Sequence, residues 1–167
     1  MRLKKTVTSL KPLLRRKLCY ILNVLLVFLN ATHFYFILGV DMQLLKALRQ
    51  ISADTQLSFE VKLERLLKIG CNTLDMDIGI VSQIENDIYT IISASPIDSI
   101  PVGTKVPLGD TYCAHTLNAD GIIASHHVKH SELGNHPCYQ KFGLESYIGI
   151  SVFVDHKNQG TLNFSST

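Results

Sequence analysis

The densest chemistry in this 167-residue chain lies in Gly109-Asp110-Thr111-Tyr112-Cys113-Ala114-His115-Thr116, a short run that holds a carboxylate, hydroxyls, a thiol and an imidazole. At a helix start such side chains can bind a small ligand, and the backbone N–H groups of a first turn suit an anion. The plainer alternative is that Asp110 or Thr111 caps the helix and Cys113 fills a small core position. His126, His127, His130, His136 and Cys138 form a second donor cluster of the kind transition metals favour, yet histidines in a long polar loop are more often solvated, and no metal site is assigned there. Cys19, Cys71, Cys113 and Cys138 stand 52, 42 and 25 residues apart without a CxxC pair, so free thiols are expected rather than a disulfide scaffold or a zinc ribbon. The sequence contains no GxxxxGK[ST], no HExxH and no locally spaced Ser/His/Asp set, and no catalytic residue is assigned.

The elements that must position these groups are legible from periodicity. Leu44, Leu45, Leu48 and Ile51 predict a short linker helix, and the stripe they form needs a partner. Ser58 then caps a second helix whose apolar face is Phe59, Leu63, Leu66, Leu67 and Cys71 or Leu74. Residues 76–84 and 88–92 read as a hairpin turned by Glu85-Asn86-Asp87, and residues 103–107 as a short strand or bridge. Asp110 is placed to cap a helix over 111–118. A strand over 121–125, a polar irregular stretch over 126–137 and a short helix from Pro137 through Phe142 follow. Residues 147–154 and 160–164, turned at 155–158, close the chain as a hairpin. Antiparallel hairpins with segregated helices define an α+β fold. A sheet covered by helices on one face must cover the other with its loops. Residues 103–142 are the only stretch long enough, so a pocket is expected there, beside residues 110–115, with Ser82 and Tyr147 facing it.

Charge divides the chain in two. Seven of the 16 Lys and Arg residues precede residue 18, and the first acidic residue is Asp41; residues 41–167 carry nine basic against 14 acidic side chains, a net of −5. With 46% hydrophobic and 18% charged residues, the chain is neither disordered nor a basic nucleic-acid binder. Leu18 to Val40 carries no charge over 23 residues, enough to span roughly 35 Å as a helix. Fourteen of those residues are Leu, Ile, Val or Phe, so membrane insertion is expected, with Asn23, Asn30 and His33 on one arc that a second helix can satisfy. A buried core or coiled-coil helix is the alternative. The positive-inside bias would export everything after Val40, so the topology stays open and the folded region is expected on the cytoplasmic side.

The segments LSFEVKLERLLKIGCNTLDMDIGIVSQIENDIYTI, GTKVPLGDTYCAHTL, HPCYQKFGLESYIGISVFV and GTLNFSS, in this order, resemble the GAF family of sensory domains, in the version found in bacterial sensor histidine kinases. The resemblance implies a central antiparallel sheet, helices on one face and a loop-covered small-molecule pocket on the other. It divides the chain into a basic N-terminus with a candidate membrane helix (1–40), a linker helix (41–56) and a GAF-like domain (57–167) that lacks the family's C-terminal helix. It implies Asp110, Thr111, Cys113 and His115 as ligand contacts, with Ser82 and Tyr147 beside them. The expected function is ligand binding in bacterial signal transduction, without catalysis, in a homodimer or with a signalling partner, and without nucleic acid. The ligand and any cofactor are not specified by the sequence. Two alternatives come with the resemblance: a free methionine sulfoxide reductase, which needs a nucleophilic and a resolving thiol, and a bilin photosensor, although Cys113 has no adjacent histidine.

Overall fold

The computed structural model of the protein describes residues 42–167. The expected membrane helix at 18–40, its polar arc, the basic N-terminus and Cys19 lie outside the described residues. Among the described residues no helix is long and apolar enough to cross a membrane.

Helix α1 (Met42–Ala53) and helix α2 (Phe59–Leu74) form where the leucine spacing predicts them. The Asp54 carboxylate accepts from the Gln56 N–H at 2.8 Å just past α1, and the Ser58 hydroxyl accepts from the Val61 N–H at the start of α2. Asp75 ends α2 in the left-handed region, φ 54°, returning its N–H to the Cys71 carbonyl. Leu48, Leu63, Leu66 and Leu67 bury together against Val81, Val152, Leu162 and Phe164 of the sheet, with Leu44 and Ile51 packed at the margin. Leu44, Leu48 and Ile51 of the α1 stripe therefore find partners inside the domain.

The sheet is open, six-stranded and antiparallel throughout, in the order β3-β2-β1-β6-β5-β4. β1 (Ile78–Glu85) and β2 (Ile88–Ser95) meet through Asn86 and Asp87, and β5 (Ser146–Val154) and β6 (Lys157–Ser166) through Asp155 and His156. All four turn residues have φ between 51° and 61°, the primed-turn geometry that matches strand twist and that Asn and Asp tolerate. The second turn is two residues long, not the four expected at 155–158. β6 accordingly starts at Lys157, and a bulge opposite Val152 and Phe153 absorbs Gln159. β3 (Lys105–Pro107) and β4 (Ile123–Ser125) are short edge strands, which limits pairing with other chains.

The stretch 126–137 is less irregular than its polarity suggests. It makes two 3-10 turns, Val128–His130 and Glu132–Asn135, pinned by the fully buried Val128, whose N–H bonds the Glu145 carbonyl. Helices α3 (Cys113–Asn118) and α4 (Pro137–Phe142) flank it. Together these segments cover the sheet face opposite α1 and α2, burying Tyr112, Cys113, Val128 and Cys138 against Ile80, Tyr89, Ile91 and Tyr147.

Candidate functional site

Strand alternation places opposite chemistries on the two sheet faces. Along β6, Leu162 and Phe164 enter the helix-side core, while Thr161 and Asn163, both buried, turn to the loop-covered face. Ser82 from β1, Tyr89 from β2 and Tyr147 from β5 join them, and α3 adds Cys113 and Thr116 from above.

These side chains form one hydrogen-bonded network. Ser82 Oγ and Thr161 Oγ1 are 2.9 Å apart, and the Thr161 N–H donates to Ser82 Oγ at 3.2 Å. Thr161 Oγ1 donates to Cys113 Sγ at 3.2 Å. Asn163 Nδ2 faces Tyr89 Oη, Cys113 Sγ and Thr161 Oγ1 at 3.3–3.4 Å. Tyr147 Oη lies 2.6 Å from Thr116 Oγ1 and 3.5 Å from Cys113 Sγ. Gly149 makes that position available, because a Cβ there would collide with the Tyr147 phenol. Ser151 Oγ donates to the Thr116 carbonyl at 3.1 Å and ties α3 to β5. Burial pushes the Cys113 thiol up, only partly offset by its bonds to Thr161 and Tyr147. Burial also drives the Tyr89 and Tyr147 phenols well above their ordinary range, with the neighbouring Cys113 adding to the effect. Every group in the network is thus neutral at physiological pH.

Of the residues expected from the sequence, Ser82, Cys113 and Tyr147 converge in this network. Thr111 is buried beside it and donates from Oγ1 to the Leu108 carbonyl at 2.8 Å. Asp110 and His115 do not join. Asp110 closes the 3-10 turn Leu108–Asp110 and caps no helix; the N-cap of α3 is Tyr112, without a side-chain cap. His115 is exposed, its ring 5.3 Å from that of His136. The first-turn N–H groups do not form an anion cradle either: those of Ala114, His115 and Thr116 bond the carbonyls of Thr111 and Tyr112.

Tyr89, Thr116, Thr161 and Asn163 were missed by sequence reasoning. The signal that could have found Thr161 and Asn163 is their polar i, i+2 spacing in alternation with the apolar Leu162 and Phe164, opposite Ser82 in a neighbouring strand.

The histidine cluster disperses. His126 and His127 meet edge to face at 5.3 Å, while His136 packs its ring 5.2 Å from Tyr112 and caps α4 by accepting the Cys138 N–H at Nδ1, 3.1 Å. Burial lowers the His136 pKa, with His115 acting in the same direction and Asp110 against them. Cys138 is buried and its thiol is pushed up to about 11, chiefly by desolvation. Among the described residues no three His, Cys, Asp or Glu groups come together as a metal-ligand set. A shallow open groove of about 320 Å³ lies at the β1–β2 turn, lined by Glu85, Ile88, Lys105 and Val106, on the sheet edge rather than over the network.

No protein-family model and no curated protein matches the chain. Solved structures do. The GAF domain of a phosphoenolpyruvate-protein phosphotransferase from Acinetobacter aligns over 77% of this chain and 78% of its own length, at 16% identity and a TM-score of 0.56. A phycoerythrobilin-bound GAF domain from a cyanobacterial phytochrome aligns over 76% and 83%, at 15% identity and a TM-score of 0.60. A free methionine-R-sulfoxide reductase from Neisseria meningitidis, in complex with its substrate, aligns over 74% and 70%, at 14% identity and a TM-score of 0.56. The fold of residues 42–167 is the GAF fold, as the four sequence segments imply.

Proposed function

We propose that this chain is a small-molecule-binding sensory domain of a bacterial signalling protein, of the kind attached to histidine kinases, and that it has no catalytic activity of its own. The observation that carries the reading is the buried polar network on the loop-covered face. Seven polar side chains from four strands and a helix are withdrawn from water in a domain whose opposite face is packed with aliphatic groups. An apolar face would pack at least as well, so the polar one is retained for recognition.

The thiols support the non-catalytic part of the proposal. A reductase of this fold needs a thiolate, and burial raises both Cys113 and Cys138 away from that state. The uncharged run at 18–40 makes a membrane tether part of the proposal, with the domain on the cytoplasmic side. Native mass spectrometry of the full chain purified from its host tests the reading. A retained small molecule, released by changes at Asn163 or Thr161, is the expected result; turnover of methionine sulfoxide that disappears in Cys113→Ser would overturn it. Fractionation tests the tether, which fails if the full chain is wholly soluble without detergent.

A further inference from the structure

We infer that the loop-covered face binds an uncharged small molecule that donates hydrogen bonds, such as a primary amide or a ring N–H, and discriminates against anions. The inference rests on the sensory reading above and specifies its ligand class.

Three observations on different elements carry it. The polar groups that meet on the face are hydroxyls, phenols, a thiol and a carboxamide, contributed by Ser82, Tyr89, Cys113, Thr116, Tyr147, Thr161 and Asn163. Outside it, His136 packs against Tyr112 and His115 against His136, with the Asp110 and Glu145 carboxylates within electrostatic reach of His136 and Tyr112. An anion seated on the network would find no cationic side chain among its members, and burying a charge without a partner is strongly unfavourable.

The backbone supplies no substitute. α3 is six residues long, and the N–H groups of Ala114, His115 and Thr116 already bond the Thr111 and Tyr112 carbonyls.

The third observation sets the donor requirement. Asn163 is 4% exposed, and the hydrogen bonds of its side chain are all made by Nδ2; Oδ1 has none among the described residues. No fully enclosed side-chain nitrogen or oxygen among the described residues lacks a partner, so Oδ1 must border accessible space. A buried acceptor beside open space is matched by a ligand N–H or O–H. Nδ2, with two hydrogens, already faces three acceptors. A ligand rich in acceptors would add to that shortage, and one that donates relieves it.

The test uses the full chain and two matched probe pairs, nicotinamide with nicotinate and benzamide with benzoate, read by saturation-transfer NMR and by melting shift. The expected result is that the amides bind at least about tenfold more tightly than their carboxylates. Asn163→Ala should abolish that binding. Tyr147→Phe removes one hydroxyl without altering the ring, provides a second variant if Asn163→Ala does not fold, and should weaken amide binding severalfold. Carboxylates that bind as tightly as amides, and lose binding in the same variants, would overturn the ligand class while leaving the small-molecule reading intact. Amide binding indifferent to both variants overturns the site. Where neither pair binds, the molecule retained in the native mass spectrum decides: a neutral donor supports the inference and an anion overturns it. No retained molecule and no bound probe overturn both the inference and the sensory reading.

Discussion

The two faces of the sheet are built from the same strands and held by different forces. On the helix side Val81, Val152, Leu162 and Phe164 interlock with α1 and α2, and stability there depends on filled volume. On the loop side Ser82, Thr161 and Asn163 answer Cys113, Tyr89 and Tyr147, and stability depends on these hydrogen bonds being kept. The contrast teaches that β6 presents an apolar set and a polar set at alternate residues. Substitutions at neighbouring positions on it should therefore fail in different ways.

Leu162→Ala is expected to be the most damaging, at about 2–5 kcal/mol, because the fully buried side chain leaves a cavity that the sheet cannot close. Urea unfolding of the two proteins measures it, and a loss no greater than that of the next variant would break the contrast. Thr161→Val keeps the volume but removes the hydroxyl shared by Ser82 and Cys113, with an expected cost of about 1–3 kcal/mol. A stabilised Thr161→Val would mean that the polar face is satisfied without this link. Gly149→Ala pushes a methyl into the Tyr147 phenol, and overpacking of this kind costs about 1–3 kcal/mol. Its diagnostic is displacement of the Tyr147 ring resonances, since a loss of stability with an unmoved ring would place the strain elsewhere.

Acidity gives a smaller, signed effect. The folded pKa of His136 lies below the ordinary 6.5, so the folded protein binds fewer protons there than the unfolded chain. The stability this histidine contributes is fully present above about pH 6.5 and is lost as pH falls through its folded pKa, because protonation at Nδ1 removes the acceptor that caps α4. Melting temperatures from pH 7.5 to 5 should fall more steeply in the wild type than in His136→Asn, and parallel curves would exclude this origin. His115→Ala is expected to change stability by less than about 0.5 kcal/mol and to leave amide binding unaltered, since its ring stands outside the network. Weakened binding in that variant would return His115 to the site.

The helix side was legible from sequence because leucines at helical spacing announce a face directly: α1, α2 and the core position of Leu66 follow from periodicity alone. The loop side was legible only in part. Cys113, Ser82 and Tyr147 meet on that face because strand alternation turns Ser82 and Tyr147 towards it and residues 103–142 cover it. Asp110 and His115 stand outside the network because the helix starts at Cys113, two residues later than the expected 111, and a shift of that size in a six-residue helix re-aims its side chains. The anion cradle expected at that start fails for a local reason: 3-10-like bonds to Thr111 and Tyr112 consume its donors. Val128 went unnoticed because one apolar residue in a polar loop has no periodicity, although it anchors the cover.

The tyrosines also have an optical consequence. The chain has six tyrosines and no tryptophan, so its near-ultraviolet emission is that of phenols alone. Of the four within the described residues, Tyr89, Tyr112 and Tyr147 belong to the loop-side cluster, and Tyr112 and Tyr147 pack edge to face at 5.3 Å. Tyr139 donates its hydroxyl proton to the Glu145 carboxylate at 2.6 Å, an arrangement that quenches a phenol's excited state. The light the folded domain emits therefore comes mainly from the walls of the candidate site, and it should change colour or intensity when a ligand rearranges them, with no label attached.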